Sequence, residues 1–247
     1  MKAIILCAGF GKRMKPYTEK NQKSMIPIHG KPLLEYILNG LIFAGLRDFI
    51  IVVGYRKEQI IDYFKEGKKW GVKIQYIEQK KINGTGGALL ICEDLIKENH
   101  FFLTWGDIVV SYPIYKKVIE IFKQENQDYI LVANYASDPH KGAAVYYEKE
   151  FCTAIIEKPP LGKSKSKFNN TGVFIFSVDI FNILRTINPS VRGEIELTEA
   201  INSGISRNNW QVRLLKMKKQ QFRGDFGDIK VYEQLNKEKK WLSKLYQ

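Results

Sequence analysis

No apolar run in the 247-residue chain approaches the about 20 residues needed to cross a bilayer, which excludes a membrane-spanning helix. Cysteine is scarce: Cys7, Cys92 and Cys152 lie far apart with no metal-type spacing, which excludes a zinc module and a disulfide framework. Their apolar neighbours predict buried free thiols in a reducing compartment. The three histidines, His29, His100 and His140, are scattered and form no ligand cluster. The apolar segment Met1–Ala8 is too short for a signal peptide and runs straight into a glycine-containing loop, so a cytoplasmic protein is expected. Neither an internal repeat nor a linker interrupts the chain, which predicts one domain over 1–247.

Charge, by contrast, is abundant and one-sided. Thirty-nine Lys and Arg against 26 Asp and Glu leave a net charge of +13. The lysines are spread along the whole length and no nucleic-acid-binding motif is present, so the expected partners are anionic small molecules, with no nucleic acid and no membrane. With 45% hydrophobic residues the chain has the material for a buried core.

Strand-like and helix-like segments alternate through the first half. Ile4–Leu6 is followed by a helical pattern from Pro32 to about Ala44, then by Phe49–Val53, a continuous apolar run of the kind buried on both faces of a sheet. A helix at Lys57–Phe64, a strand at Val72–Ile77, a helix after Gly84, a strand at Phe101–Trp105, a helix at Tyr115–Phe122 and a strand at Tyr129–Ala133 continue the rhythm. This predicts an α/β fold, a doubly wound, mostly parallel mixed sheet flanked by helices. After about residue 140 the rhythm changes: Ala143–Tyr147 and Phe151–Ile156 read as neighbouring strands, Gly162–Lys167 as a polar stretch, and Val173–Phe176 and Trp210–Leu215 as further strands. A closing helix starts near Asp228.

The segment from Leu6 to Pro32 carries the densest chemistry. Gly9 and Gly11 expose backbone N–H groups, and Lys12, Arg13, Lys15, Lys20, Lys23 and Lys31 follow, a combination suited to a polyphosphate. A dinucleotide fingerprint would need a third glycine where Met14 stands and a helix immediately after, whereas Pro16-Tyr17-Thr18 predicts continued loop. A Walker loop would need a hydroxyl after Gly11-Lys12, where Arg13 stands. Ligands of open α/β sheets bind beyond the carboxyl ends of the strands. Gly84-Thr85-Gly86-Gly87 and Gly106-Asp107 stand at such ends, and Asp225 recurs in Arg223-Gly224-Asp225-Phe226-Gly227-Asp228. Either aspartate alone reads equally well as a turn or helix-cap residue. Together they suit Mg²⁺, which is held by one or two carboxylates plus substrate phosphates.

These blocks, with Lys23-Ser24-Met25-Ile26-Pro27-Ile28, Glu157-Lys158-Pro159, Asn170-Thr171-Gly172 and Gly193-Glu194-Ile195-Glu196-Leu197-Thr198, occur in an order that resembles the sugar-1-phosphate nucleotidyltransferase family and cover nearly the whole chain. The resemblance implies a Rossmann-like, glycosyltransferase-A-like fold with a nucleotide-binding half over about 1–135 and a sugar-phosphate half over about 136–247. It implies transfer of a nucleotidyl group to a sugar 1-phosphate with Mg²⁺, releasing pyrophosphate. In its terms Leu6, Ala8, Gly9, Gly11, Lys12, Arg13, Gln79, Gly84 and Thr85 bind the nucleotide, and Gly142, Glu157, Lys158, Asn170 and Glu196 the sugar phosphate. Arg13, Lys23 and Lys158 are its catalytic cations, and Asp107 and Asp225 its metal ligands. Glu196 reads equally well as a helix-start residue.

Three positions depart from the family pattern: Lys12 at a small hydroxyl position, Gln22 for a proline, which predicts a less rigid loop before Lys23, and Asn83 for a leucine. Gln79 is the base-reading position. A glutamine amide offers both a donor and an acceptor to uracil or thymine, which favours UTP or dTTP over GTP or CTP. A non-sugar acceptor such as phosphocholine and a catalytically silent relative are the alternatives; retention of Arg13, Lys23, Asp107, Lys158 and Asp225 argues against silence. The short stretch after Gly227 leads us to expect no carboxy-terminal β-helix, and a homo-oligomer is compatible with the sequence.

Overall fold

Apolar runs and the turns between them set the elements. The computed structural model describes residues 1–247. In chain order its strands are β1 (Ala3–Leu6), β2 (Pro27–Ile28), β3 (Lys31–Pro32), β4 (Asp48–Val53), β5 (Lys73–Glu78), β6 (His100–Trp105), β7 (Ile108–Val110), β8 (Tyr129–Tyr135), β9 (Ala143–Glu148), β10 (Phe151–Glu157), β11 (Phe168–Ser177), β12 (Val212–Lys216) and β13 (Arg223–Asp225). Its helices are α1 (Tyr17–Lys20), α2 (Leu33–Phe43), α3 (Lys57–Phe64), α4 (Thr85–Leu90), α5 (Tyr112–Glu125), α6 (Ile180–Leu184), α7 (Leu197–Asn208), α8 (Ile229–Lys237) and α9 (Lys240–Ser243). The fold is mixed α/β.

Two compact units divide the chain, and their boundaries differ from a single cut near residue 135. The first comprises Met1–Ile82, Thr104–Lys117 and Gln221–Gln247; the second comprises Asn83–Leu103 and Val118–Gln220. A short ladder late in the chain is the reason: β13 pairs antiparallel with β7, Asp225 opposite Ile108 and Arg223 opposite Val110, so the last segment joins the first unit.

In the first unit β5, β4 and β1 run parallel in that order, with Ala3 opposite Phe49 and Asp48 opposite Lys73. Phe49–Val53 is buried throughout, as a strand covered on both faces must be. The expected loop at Pro16-Tyr17-Thr18 is instead the one-turn helix α1, because the Asn21 N–H donates to the Tyr17 carbonyl at 3.2 Å and the Thr18 hydroxyl to the Gly11 carbonyl at 3.0 Å. Asp228 caps α8, its side chain accepting from the Lys230 N–H, as expected.

In the second unit, where the expected rhythm changes after about residue 140, the pairing is mixed. β12 pairs parallel with β8, whereas β11 with β8, β11 with β9, β10 with β12 and β10 with β9 are antiparallel. A two-residue connection at 149–150, with Lys149 at φ +53°, joins β9 directly to β10, and so short a link permits only antiparallel pairing. β11 begins earlier than the apolar run suggests because its polar residues spend their side chains on neighbouring backbone. The Ala143 N–H donates to Asn169 Oδ1 at 2.9 Å, and Thr171 Oγ1 donates to the Val132 carbonyl at 2.8 Å.

Gly106 shows how closely the first unit packs at the end of β6. A Cβ there would meet Cys7 Sγ, and would stand 2.9 Å from both the Leu6 carbonyl and Ser24 Oγ. Gly106→Ala is therefore expected to lower unfolding stability by about 1–3 kcal/mol, measured as a shift of the denaturant midpoint at unchanged slope.

Candidate functional site

In the first unit β1 delivers the chain to a loop with backbone donors and little side chain. The Ala8 carbonyl accepts from the Tyr55 N–H at 3.1 Å, and the space beside Gly9 is open. Gly11 lies at φ +63°, where a Cβ would stand 2.8 Å from the Thr18 methyl and 3.1 Å from Lys23 Cβ, so only glycine fits. Lys12 reaches over the Phe10 ring, and Arg13 is exposed.

Lys23 follows a loop that is held more firmly than its missing proline predicts. Gln22 is buried. Its N–H donates to Gln59 Oε1 at 2.6 Å, its amide Nε2 to the Cys7 carbonyl at 2.5 Å, and its Oε1 accepts from the Ser24 N–H at 2.5 Å. Three hydrogen bonds replace the ring constraint.

Lys23 Nζ donates directly to Asp107 Oδ2. Burial pushes the Asp107 carboxyl up, but Lys23, with Arg13 and Arg223 beyond it, outweighs burial and holds it below the ordinary carboxylate value. Asp225 is placed by the β7–β13 ladder, with the Phe226 N–H donating to the Asp107 carbonyl at 2.9 Å and the Gly227 N–H to Asp225 Oδ1 at 3.0 Å. The point where Gly227 would carry a Cβ lies 3.1 Å from Asp225 Oδ1, 3.4 Å from Asp107 Oδ2 and 3.5 Å from Arg13 Nη2. The two carboxylates and one guanidinium thus bound a single cradle that any side chain on residue 227 would fill. No group of three or more His, Cys, Asp or Glu side chains is placed to hold a metal ion. Two convergent carboxylates without further protein ligands fit a hard cation completed by phosphate and water.

Arg223, two residues before Asp225, was not among the expected site residues. Its Nη2 donates to Asp225 Oδ2 at 3.2 Å, and its Nε is buried without a partner. The sequence signal was the i, i+2 spacing, which puts both side chains on one face of a strand, but only the ladder makes those residues a strand. Gln79 directly follows β5 and is buried, its N–H bonded to the Val53 carbonyl at 2.8 Å.

The other expected residues belong to the second unit. Gly84, at φ +98°, precedes α4, and Thr85 Oγ1 accepts from the Leu197 N–H at 3.3 Å. The β9–β10 hairpin sets Ala143 opposite Glu157, and the next bond, from the Lys158 N–H to the Gly142 carbonyl at 2.7 Å, joins two expected residues. Asn170 is 1% exposed; its Oδ1 accepts from the Gly172 N–H at 2.9 Å, while its Nδ2 is buried with no partner. An orphaned donor of this kind costs free energy unless something accepts from it.

Glu157 and Glu196 share Arg192, which the sequence reading missed. Arg192 Nη2 lies 2.5 Å from Glu196 Oε1, 3.4 Å from Glu194 Oε2 and 3.8 Å from Glu157 Oε1. Lys158 Nζ stands 3.8 Å from Glu157 Oε1. Glu157, Lys158, Arg192 and Glu196 line one cavity of about 670 Å³. Burial, then the neighbouring Glu196 carboxylate, pushes the Glu157 carboxyl above its ordinary value despite the two cations.

The three cysteines are free and buried, and burial raises each thiol to about 12. His29 bonds the Leu235 carbonyl at 2.8 Å, His100 pairs with Asp128 and His140 with Asp138. No helix is long and apolar enough to cross a membrane.

A carboxyl whose folded pKa is raised costs stability once it ionises, so stability falls as pH rises from the unfolded value of 4.5 through the folded one. Glu157→Gln is expected to raise the melting temperature at pH 7 and to leave it unchanged at pH 3.5–4, where both forms are neutral. A thermal melt at each pH checks this, and an equal shift at both would assign the effect to packing.

The family model described as Nucleotidyl transferase matches residues 2–241. The bifunctional protein GlmU of Methanococcus maripaludis is 38% identical over 201 residues, which cover 81% of this chain and 46% of that protein. The UTP–glucose-1-phosphate uridylyltransferase AglF of Haloferax volcanii is 33% identical over 208 residues, 82% of each chain. A UDP-glucose pyrophosphorylase solved with UDP-glucose superposes with a TM-score of 0.85 over 96% of this chain and 97% of that one; at 24% identity this likeness shows the fold alone. The chain spans about half the length of the GlmU relatives it matches.

Proposed function

Because the chain belongs to the nucleotidyl transferase family, we propose that it joins a nucleoside triphosphate to a sugar 1-phosphate, giving a nucleoside-diphosphate sugar and pyrophosphate. The observation that carries this reading is the meeting of Asp107, Asp225 and Arg13 at one cradle, with Lys23 on Asp107. Those are the groups that transfer of a phosphoryl centre needs: cations to neutralise phosphate charge, and carboxylates to hold a metal among them.

The chemistry requires no general base. The phosphate of a sugar 1-phosphate has a second pKa of about 6, so it is largely dianionic at neutral pH. One of its oxygens attacks the α-phosphorus of the nucleotide; the new P–O bond forms as the α–β anhydride breaks, and pyrophosphate leaves. Lys23 would neutralise charge between the α-phosphate and the incoming sugar phosphate, and Arg13 would take the departing pyrophosphate. In the second unit Lys158 would grip the sugar phosphate, and Glu157, Asn170 and Glu196 would take the sugar hydroxyls. The orphaned Nδ2 of Asn170 supports that role, since a hydroxyl or carbonyl oxygen would satisfy it. Mg²⁺ held by Asp107 and Asp225 would supply further neutralisation of the nucleotide phosphates.

Gln79 carries the base preference. Its amide can donate to and accept from the imide edge of uracil or thymine, which favours UTP or dTTP. The name of AglF, a UTP-using relative that acts on glucose 1-phosphate, is consistent with this. Glucose 1-phosphate is accordingly the first acceptor to test.

Pyrophosphate release across a grid of nucleoside triphosphates and sugar 1-phosphates with Mg²⁺ should be fastest with UTP or dTTP. A preference for GTP or CTP would reject the role given to Gln79. In the same assay Lys23→Ala should reduce kcat by about 10²–10³, the cost of deleting one preorganised charge-stabilising donor. A loss of tenfold or less would leave Lys23 as a binding residue only.

A further inference from the structure

The cavity that holds Glu157, Lys158 and Glu196 continues well past them. Its wall includes Glu196, the residue just before α7, and Glu199, Ser203 and Arg207 three, seven and eleven positions later, so the cavity follows one face of that helix from its first turn to its last. At 1.5 Å per residue the face is roughly 16 Å long, more than one sugar ring and its phosphate occupy. The volume of about 670 Å³ falls in the middle of the range for ligands of drug size. The helix is fixed against the sheet, because Asn202 accepts from the Ile155 N–H at 2.8 Å and donates to the Ile155 carbonyl at 2.6 Å.

The charges along this face are unequally committed. Arg192 is taken up by Glu157, Glu194 and Glu196, and Lys158 stands near Glu157. Arg207, at the far end, is exposed and has no ion pair or side-chain hydrogen bond within the protein. Away from the helix the lining is mixed: Ile156, Ile187 and Val191 supply apolar surface among Thr186, Asn188 and Ser190. Apolar side chains and an unpaired guanidinium lining the same cavity suit a short carbon stem bearing a carboxylate. Glu199 does not cancel this, since two helical turns separate it from Arg207, about 12 Å and beyond the screening length of about 8 Å at physiological salt.

We propose that the acceptor is a sugar 1-phosphate carrying a carboxylate-bearing substituent, laid along α7 with its carboxylate on Arg207. This rests on the nucleotidyl-transfer reading above and narrows its substrate class. Ser203, between Glu199 and Arg207 on that face, would donate its hydroxyl to an oxygen of the substituent and orient it.

Glucose 1-phosphate and its 3-O- and 6-O-carboxymethyl ethers test the assignment by two readouts, calorimetric binding without nucleotide and kcat/KM for pyrophosphate release with UTP. At least one ether should bind and react about fivefold better than glucose 1-phosphate, the worth of one solvent-accessible charge pair. In Arg207→Ala that ratio should fall to about one, and Arg207→Lys should retain part of it. Equal binding of all three acceptors by the wild type, or a preference that survives Arg207→Ala, would overturn the proposal. Absence of pyrophosphate release with every acceptor would instead reject the nucleotidyl-transfer reading, while binding still decides the role of Arg207.

Discussion

The antiparallel pairing of β7 with β13 is the constraint on which the candidate chemistry depends. It is three residues long on each side, yet it brings Asp225 from late in the chain to Ile108, directly after Asp107. Backbone hydrogen bonds then fix what electrostatics would oppose. Two carboxylates held close together repel, and a partly buried anion loses hydration. The protein meets both costs with cations: Lys23 on Asp107, Arg223 on Asp225, and Arg13 at the rim of the same cradle. The depressed Asp107 carboxyl follows from this arrangement, because the cations outweigh burial. A site that sets two carboxylates among three cations is poised to exchange protein charge for metal and phosphate charge.

The second unit balances its charges differently. One guanidinium, that of Arg192, serves three glutamates, and the balance falls short at Glu157, where burial and Glu196 leave the carboxyl above its ordinary value. The raised carboxyl and the orphaned Asn170 donor are both stability costs in the protein itself. Such costs concentrate where a ligand relieves them, which supports the acceptor role proposed for Glu157 and Asn170.

The elements most legible in the sequence were those with a local signal. The run Phe49–Val53, the helix at Lys57–Phe64 and the hairpin of Ala143–Tyr147 with Phe151–Ile156 all stand where hydrophobic pattern and turn residues put them. The chemistry-bearing blocks were legible as motifs, and Lys23, Asp107 and Asp225 do come together. Three features were not legible, each for its own reason. β13 is three residues long and owes its existence to a partner far away in the chain. The polar start of β11 looks like loop until Asn169 and Thr171 are seen to bond neighbouring backbone. Gln22 reads as the loss of a rigid proline, whereas its side chain makes the loop's anchoring bonds. The same blindness to tertiary pairing hid Arg192 and Arg223, cations whose partners only the fold supplies.

The central claim is that Asp107 and Asp225 serve one ion, and a double-mutant cycle on metal binding tests it most directly. Mn²⁺ binding would be measured by electron paramagnetic resonance with a non-hydrolysable UTP analogue, for the wild type, Asp107→Asn, Asp225→Asn and the double variant. The account predicts one ion per chain in the wild type, at least about tenfold weaker binding in each single variant, and a loss in the double variant clearly smaller than the two combined. Wild-type affinity in either single variant, or losses that simply add, would contradict it.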